Sequence, residues 1–344
     1  MSETVRIAVV GLGYWGPNLV RNIFELQEAE VAYICDLDPA KFERISRRYP
    51  SVRQTVDFDR ILDDPSVDAV AVATSVSTHY ELAMRALEAG KHVFVEKPLA
   101  GSLEQAVELG QAAADRGLVL MPGHTFLYSP PVIKVKTMIA SGELGQIYSI
   151  STSRVNLGLH QPDVSVVWDL APHDFSILRY WLDELPSHVS ALSKGCILPE
   201  TPDVAFINLE FPSSTIANVE LSWLAPSKLR RTTVIGSRKM LVYDDMSAEP
   251  VRVFDSGVSL RDPETYGEYK LTYRTGDIVS PRIDVGEPLH LEMADFCTAV
   301  RGGSPTRSSL QIGIDVVRMV EAVDESLRRD GARVQLGESV AAVR

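Results

Sequence analysis

The chain has 344 residues, of which 45% are hydrophobic and 23% are charged, so it is long enough for two domains with substantial cores. Its formal net charge of −12 argues against a general affinity for nucleic acid or for anionic membranes, because both favour a basic protein surface. No stretch approaches the ~20 consecutive apolar residues of a membrane helix, and the N-terminus lacks the features of a signal peptide, so we expect a cytoplasmic protein without membrane contact.

The first predicted elements surround a glycine-rich turn. Residues 7–10 are β-forming, residues 17–24 are helix-forming, and the glycines between them have the spacing G-x-G-x-x-G. In that spacing the first glycine allows a tight turn, the second lets the backbone approach a pyrophosphate, and the third allows close packing of helix on strand. The motif predicts a dinucleotide site with the candidate residues Gly11, Gly13, Tyr14, Trp15 and Gly16.

An acid follows the second predicted strand, which covers residues 31–35. Asp36 lies 36 − 16 = 20 residues beyond the last glycine, the distance at which such an acid reaches the adenosine ribose hydroxyls. A carboxylate there repels a 2′-phosphate, so the sequence favours NAD over NADP. Arg47 or Arg48 could still fold back toward this site.

Alternating strands and helices continue to Pro122 and predict an N-terminal doubly wound parallel sheet, an α/β Rossmann domain over residues 1–122. Polar residues follow the apolar strand 67–73, at the edge where such sheets bind ligands. The cofactor candidates among them are Thr74, Ser75, Thr78 and His79. Helix capping is an equally good use of Thr78.

Beyond Pro122 the pattern changes to one helix over 130–140 followed by mostly alternating strands. Two further helices, over 289–300 and 308–328, close the chain. We expect residues 123–344 to form an α+β domain with a large, mostly antiparallel sheet, and leave open whether its C-terminal helices pack back near the first domain. One apolar face of this sheet is expected to be buried by self-association, in a homodimer or homotetramer.

Two groups of residues suggest chemistry. Glu96-Lys97-Pro98 follows a predicted central strand, where a lysine places a cation beside a substrate hydroxyl and a nearby acid holds it in position. Asp169 and His173 are spaced i and i+4, so on a helix they share one face. Histidine suits the removal of a hydroxyl proton near neutral pH. Either group alone is more often structural, but their combination with a dinucleotide motif favours catalysis.

These residues together resemble the Gfo/Idh/MocA family of sugar and inositol oxidoreductases. The resemblance covers nearly the whole chain and rests on GLGYWG, Asp36, the EKP triplet at 96–98 and the D-x-x-x-H pair at 169 and 173. It implies that Lys97 lies beside substrate and nicotinamide, that His173 is the acid/base, and that Asp169 binds the reacting sugar. Glu96 joins the cofactor candidates. His124 and Phe126 stand where the family's interdomain segment has Asn and Arg.

The function implied is hydride transfer between NAD and a secondary alcohol or ketone of a small sugar, in a form similar to members that act on nucleotide-linked sugars, often at C3. Inositol or free-monosaccharide dehydrogenation, ketosugar reduction and a non-catalytic NAD-binding sensor remain alternatives. The three widely spaced cysteines predict reduced thiols, and no metal is expected. The substrate candidates beyond the three catalytic residues are Tyr128, Arg154, Asn156, His160 and Asp163.

Overall fold

Two β-sheets organise the chain, and each belongs to a separate unit. The computed structural model describes residues 4–158, 160, 164–260, 271–302 and 305–337. Of these, residues 4–129 and those between 286 and 318 form the first unit. Residues between 130 and 285 and those from 319 to 337 form the second. The first unit therefore extends beyond the predicted boundary at Pro122 and includes the segment from Gly286 to Arg318.

The helices and strands of the described residues alternate as follows. The strands are β1 Val5–Val10, β2 Ala29–Cys35, β3 Arg53–Thr55, β4 Ala69–Val72, β5 His92–Glu96, β6 Leu120–Gly123, β7 Ile147–Leu157, β8 His188–Lys194, β9 Val204–Glu210, β10 Ile216–Ser222, β11 Leu224–Gly236, β12 Met240–Asp244, β13 Val251–Leu260, β14 Leu271–Val279 and β15 Val334–Gln335. The α-helices are α1 Gly16–Glu25, α2 Phe42–Arg48, α3 Asp59–Leu62, α4 Val76–Glu88, α5 Leu103–Arg116, α6 Pro130–Ala140, α7 Val166–Leu182, α8 Pro288–Val300 and α9 Leu310–Arg328. Two 3₁₀ turns cover Pro39–Lys41 and Thr125–Tyr128.

The first sheet is parallel and has the strand order β3-β2-β1-β4-β5-β6. Strands β2 and β3 lie on one side of β1, and strands β4, β5 and β6 lie on the other. Open α/β sheets bind ligands where the strand order changes direction in this way, beyond the carboxyl ends of the strands. All four residues of β4 are buried, as expected for a strand with both faces covered. The predicted doubly wound sheet is confirmed.

The local sequence explains where the helices of this unit begin and end. The Ser102 hydroxyl accepts a hydrogen bond from the Gln105 backbone N–H at 3.2 Å and caps α5, and Gly117 ends that helix with φ of 64°.

Helix α8 is part of this unit and packs on its sheet. Phe296 of α8 meets Phe94 of β5 edge-on, with ring centroids 5.9 Å apart. Such ring contacts bury apolar area at the carboxyl end of the sheet.

The second sheet has nine strands in the order β14-β13-β12-β11-β7-β10-β9-β8-β15. Its described pairings are antiparallel except for β7 with β10, which agrees with the predicted mostly antiparallel sheet. Buried residues such as Ile150, Ile207 and Val219 alternate along the strands, and helices α6 and α7 contact the sheet. The core of the second unit lies between these helices and one face of the sheet.

The opposite face of this sheet differs from the apolar surface that the sequence suggests. Phe206, Ile216 and Leu192 are exposed there, but Ser151 and Asn208 lie among them in the central strands. The outer face therefore combines hydroxyl and amide groups with separate apolar side chains. Self-association through it stays a prediction.

Candidate active site

In the glycine turn after β1, the backbone at Gly16 lies close to the backbone at Gly11. Gly11 has φ of 91°, and a Cβ at Gly16 would lie 2.0 Å from the Gly11 carbonyl oxygen. A Cβ at Gly13 would meet nothing within 4 Å. Two of the glycines are therefore required by the fold, whereas Gly13 leaves open space beside its backbone, which is the room that a pyrophosphate needs.

Helix α1 begins at Gly16, directly after this turn. Trp15 occupies the N-cap position and makes no side-chain capping hydrogen bond. Tyr14 is 81% exposed and packs edge-on against Trp15, with ring centroids 5.3 Å apart. An uncapped N-terminus with a positive dipole is suited to phosphate groups. These residues fit a dinucleotide such as NAD.

The Asp36 carboxylate is held at the end of β2 by backbone donors. Oδ2 accepts the Leu12 N–H at 2.7 Å, and Oδ1 accepts the Asp38 N–H at 2.9 Å. Burial alone would raise the pKa of Asp36, but these N–H groups and the Lys41 ammonium hold it below its ordinary value. The side chain is thus a fixed, charged acceptor beside the glycine turn, as ribose hydroxyls require.

Lys41 is the basic residue at this position, and the sequence analysis did not identify it. Its Nζ lies 3.1 Å from both carboxylate oxygens of Asp36. Arg47 pairs with Glu43, and the Arg48 guanidinium lies 5.4 Å from the centre of the Tyr49 ring, so neither folds back to Asp36 as the sequence left open. Asp36 and Lys41 are five residues apart across a 3₁₀ turn, so neither helical nor strand periodicity in the sequence indicates this contact.

The polar residues after β4 contact one another and the backbone. The Thr78 hydroxyl donates to Thr74 Oγ1 at 2.8 Å and lies 2.9 Å from the Ser75 carbonyl oxygen. His79 is buried, with Nδ1 2.9 Å from the Pro98 carbonyl oxygen and Nε2 3.2 Å from that of Thr74. Burial lowers the pKa of His79, and the two backbone carbonyl contacts oppose this only in part. A cofactor contact of His79 stays a prediction.

The carboxyl end of β5 carries Glu96 and Lys97, and the Lys97–Pro98 peptide bond is cis. Glu96 is only 5% exposed, and burial raises its pKa to about 7 although the neighbouring Lys97 favours the charged form. Glu96 is paired in register with Gly123 of β6. The lysine that the resemblance marks as catalytic is thus preceded by a carboxyl group that titrates near neutral pH.

Next to it, β6 leads into His124 and Thr125, which have no predicted role in a site. His124 is 1% exposed, and burial lowers its pKa to about 3. The Thr125 hydroxyl donates to Glu292 of α8 at 2.6 Å, and Glu292 is fully buried. A buried acid on a distant helix has no local sequence pattern that marks it.

Tyr128 is held by internal contacts. Its hydroxyl donates to Asp295 at 2.6 Å and accepts the Ser308 N–H at 3.0 Å, and the side chain is 1% exposed. Because both hydrogen-bonding functions of the hydroxyl are used within the first unit, we do not include Tyr128 in the proposed substrate site.

Asp169 and His173 lie in the second unit on α7, one turn apart, so the predicted sharing of one helix face is confirmed. The Ser165 hydroxyl caps the helix by accepting the Trp168 N–H at 3.4 Å. Both side chains are half-buried. The arrangement presents a carboxylate and an imidazole side by side.

The Asp169 carboxylate is oriented by a buried tryptophan. Trp223, which follows β10 and is 1% exposed, donates its indole N–H to Asp169 Oδ2 at 3.2 Å. The Trp168 indole donates to Asp324 of α9 at 2.8 Å and anchors the first turn of α7. A carboxylate that accepts a hydrogen bond from a fixed donor keeps its rotamer.

Arg154 forms a buried ion pair instead of facing solvent. Its Nε lies 2.7 Å from Asp174 Oδ2, and both side chains are 4% exposed. The Thr152 hydroxyl donates to the same carboxylate at 2.9 Å. The pair ties β7 to α7, because a buried charge of this kind needs a partner. We therefore leave Arg154 out of the proposed substrate contacts.

The segment after β7 contributes one further described side chain. His160 Nε2 lies 3.4 Å from Asp203, and its ring packs edge-on against Trp223, with centroids 5.4 Å apart. Asn156 is half-buried on β7. Asp163 lies outside the described residues. His160 and Asn156 remain predicted substrate contacts.

Two negative findings hold for the described ranges alone. Within them, no cluster of three or more His, Cys, Asp or Glu side chains has an arrangement that could ligate a metal ion. Likewise, none of the helices in the described part has both the length and the apolar character of a membrane span.

Comparison with known proteins agrees with this geometry. Residues 5–124 match the model of an oxidoreductase family with an NAD-binding Rossmann fold, and residues 132–242 match the GFO/IDH/MocA C-terminal domain. The chain is 30% identical to the scyllo-inositol 2-dehydrogenase (NAD(+)) of Bacillus subtilis (strain 168), over 98% of this chain and 97% of that protein.

Two solved structures share the fold. GenD2 from gentamicin A biosynthesis, solved in complex with NAD, superimposes with a TM-score of 0.82 at 23% identity and covers 98% of this chain and 97% of that one. UDP-N-acetylglucosamine 3-dehydrogenase GnnA from Acidithiobacillus ferrooxidans has a TM-score of 0.77 at 21% identity, with 95% and 98% covered. With both domains matched, the chain belongs to the GFO/IDH/MocA family of oxidoreductases, and its first domain is an NAD-binding Rossmann fold.

Proposed function

We propose that this protein catalyses hydride transfer between NAD and a secondary hydroxyl of a nucleotide-linked sugar, at C3 of the sugar ring. The observation that carries the proposal is the pair on α7, in which Asp169 is held by the Trp223 indole one helical turn before His173. A fixed carboxylate beside an imidazole suits a ring with adjacent hydroxyl groups. The fold shared with a UDP-N-acetylglucosamine 3-dehydrogenase supports the choice of substrate.

Each residue has a distinct role in this proposal. His173 removes the proton of the reacting hydroxyl, and Asp169 accepts a hydrogen bond from a neighbouring hydroxyl and so orients the ring. The Lys97 ammonium stabilises the charge that develops on the oxygen. NAD, when bound, supplies the acceptor for the hydride. The residues that would hold it are Gly11, Gly13, Asp36 and Gly16 at the start of α1.

The assay is NADH formation by the purified protein with a panel of nucleotide sugars, sugar phosphates, free sugars and inositols. Turnover confined to nucleotide sugars is expected. Lys97→Ala and His173→Ala should each lower kcat by about 100-fold or more, since one acid/base group contributes a factor of that order. The Kd for NAD should stay within about twofold, because Lys97 and His173 are assigned to the reacting hydroxyl and not to the phosphates or riboses of the dinucleotide.

Two control variants change a lysine and a histidine that have no role in the proposed site. Lys228→Ala removes an exposed lysine of β11, and His188→Ala removes a histidine of β8 that contacts Ser187 and Arg333. Both should retain wild-type rates. Wild-type turnover in Lys97→Ala and His173→Ala would refute the assignment of the site.

A second candidate is oxidation of an inositol, favoured by the relative that is 30% identical and carries that activity in its name. The same panel separates the two, because inositol turnover without nucleotide-sugar turnover would select it. Oxidation of NADH with a ketosugar would indicate the reverse direction. NAD binding without turnover of any compound would favour a sensor.

We also propose that the protein self-associates through the outer face of the second sheet, as a homodimer or homotetramer. Leu192 and Phe206 are register partners on neighbouring strands and, with Ile216, are between 48% and 65% exposed, so association through this face would bury apolar area. A monomeric mass by light scattering at micromolar concentration would refute this proposal.

A further inference from the structure

A buried histidine joins the segments that follow two neighbouring strands of the first sheet. His79 lies in the first turn of α4 and is 1% exposed. Its Nδ1 lies 2.9 Å from the carbonyl oxygen of Pro98, beyond β5, and its Nε2 lies 3.2 Å from that of Thr74, beyond β4. Strands β4 and β5 are parallel neighbours, and all of these residues belong to the first unit. The ring therefore connects the two chain segments at the carboxyl edge of the sheet.

The two contacts determine where the ring carries a proton. A carbonyl oxygen only accepts hydrogen bonds, whereas a neutral imidazole has one N–H and an imidazolium has two. An imidazolium therefore donates to both oxygens. A neutral ring donates to one of them, and the shorter contact identifies Nδ1 as the donor. In either charge state, the N–H at Nδ1 of His79 donates to the Pro98 carbonyl oxygen.

The Pro98 carbonyl oxygen needs such a donor. Pro98 is buried, and a buried carbonyl oxygen that lacks a donor is costly. The pairing of β5 with β6 ends at Glu96, opposite Gly123, and proline has no N–H with which to extend a ladder. The chain thus leaves the sheet after Glu96, and the hydrogen bond from His79 restrains it again at Pro98.

Lys97 lies between these two restraints. The residue before it is paired in the sheet, and the residue after it accepts the hydrogen bond from His79. His79 is held in turn, because the start of α4 is tied to the end of β4 by the Thr78 hydroxyl, which donates to Thr74 Oγ1 at 2.8 Å. Displacement of a reacting group by about 1 Å can cost roughly 100-fold in rate. The backbone at Lys97 is therefore a place where a small shift would matter.

We propose that His79 is a positioning residue for Lys97, which acts through a hydrogen bond from its Nδ1–H to the Pro98 carbonyl oxygen. This bond sets the direction in which the chain leaves β5, and so it sets the point from which the Lys97 side chain extends. The catalytic role of Lys97 rests on the function proposed above. The hydrogen bond itself does not.

Nuclear magnetic resonance tests the hydrogen bond without any substrate. Proton–nitrogen correlation spectra of protein that contains nitrogen-15 histidine distinguish a ring nitrogen that carries a proton from one that does not. The chain has seven histidines, and the resonances of His79 are those that disappear in His79→Gln. We expect a proton on Nδ1 of His79 near neutral pH. An Nδ1 without a proton would overturn the proposal.

Two substitutions separate the hydrogen bond from the packing of the ring. The amide nitrogen of asparagine is bonded to Cγ, as Nδ1 of histidine is, so His79→Asn can still donate to the Pro98 carbonyl oxygen. The amide nitrogen of glutamine lies one bond farther out, like Nε2, so His79→Gln keeps a donor toward Thr74 instead. Glutamine is closer to histidine in size, so a role in packing alone would make His79→Asn the more damaging change.

A positioning role gives the opposite order in kcat. His79→Gln should lower kcat by about tenfold or more with little change in KM, whereas His79→Asn should keep kcat within about threefold of the wild type. His92→Asn is the control, because His92 begins β5 at the opposite edge of the sheet, where its Nδ1 accepts a hydrogen bond from the Val119 N–H at 2.9 Å. It should keep the wild-type kcat.

Equal kcat values in His79→Asn and His79→Gln, or a lower value in His79→Asn, would refute the positioning role. If either variant does not fold, as judged by circular dichroism, sequential resonance assignment of the wild type identifies His79, and the protonation of its Nδ1 decides the proposal. Absence of turnover in the wild type with every substrate would refute the proposed function instead. The resonance measurement would still decide whether the hydrogen bond exists.

Discussion

The acids at the carboxyl ends of β2 and β5 lie at the same edge of one parallel sheet, but their pKa values are shifted in opposite directions. The side chain of Asp36 is 9% exposed, and Glu96 is 5% exposed, so both are largely covered. The pKa of Asp36 lies below its ordinary value, whereas that of Glu96 is raised to about 7. Limited exposure alone therefore does not decide the charge.

The difference comes from the donors around each carboxyl group. The Asp36 carboxylate accepts hydrogen bonds from two backbone N–H groups and from the Lys41 ammonium, and these bonds stabilise its charged form. Glu96 is more deeply buried, and its Oε1 has no partner among the described residues. The β2 end thus carries a fixed charge for binding, and the β5 end carries one that changes with pH.

The largest expected effect comes from displacing the Leu12 N–H, which donates a hydrogen bond to Asp36. Gly16→Ala places a Cβ 2.0 Å from the Gly11 carbonyl oxygen, so the turn that carries the Leu12 N–H must shift. We expect a loss of roughly 3 kcal/mol or more in the free energy of unfolding, a severe case of overpacking, together with loss of NAD binding. Urea denaturation and calorimetric titration with NAD measure the two effects.

Gly13→Ala is the matched variant, because its Cβ would meet no atom within 4 Å. It should keep wild-type stability and still weaken NAD binding by about tenfold or more, since the added methyl group occupies the space beside the phosphates. Equal stability losses in both variants would contradict the distinction between the two glycines.

The next effect concerns the β5 end. Glu96→Gln removes a group whose pKa is raised on folding from 4.5 to about 7. The stability that such a group contributes is fully present below pH 4.5 and is lost as the pH rises through 7. Relative to the wild type, the variant should gain up to roughly 3 kcal/mol between pH 4.5 and 8.

The measurement is the difference in free energy of unfolding between variant and wild type across that pH range, from urea denaturation. Glu104→Gln serves as the control, since its exposed acid should give a difference that stays flat with pH. A flat difference for Glu96→Gln as well would show that the carboxyl group is ionised normally.

The sequence predicted the elements whose pattern is local. The helix predicted over 130–140 matches α6. Strand β14 is not among the predicted elements, since its residues are all exposed and no apolar alternation marks it. Strand β3, which has only three residues, is not among them either.

For the site, residues with a motif were predicted and residues with only a tertiary contact were not. The glycine spacing, Asp36 and the i, i+4 pair on α7 follow from local rules. Glu292 does not, because its partner Thr125 lies 167 residues away in the sequence. The sequence alone does not distinguish Trp223 from a core aromatic residue, and only the structure shows that its indole N–H donates to Asp169. Burial and long-range pairing, which set these roles, have no periodic signature.

The smallest effect sharpens the β2 side of the comparison, because the Lys41 ammonium partly neutralises the Asp36 charge that is predicted to disfavour NADP. Asp36→Asn keeps an acceptor for the Leu12 N–H but removes the charge, so the Kd for NAD should rise about tenfold. NADP should bind more tightly, since its 2′-phosphate no longer meets a carboxylate and the Lys41 ammonium can pair with it.

Adding Lys41→Met tests this explanation, because the double variant lacks both charges. It should lose the gain in NADP affinity and keep the weakened affinity for NAD, as fluorescence titration with each dinucleotide would measure. If the double variant bound NADP as tightly as Asp36→Asn, Lys41 would have no part in cofactor choice, and repulsion by Asp36 alone would account for the preference for NAD.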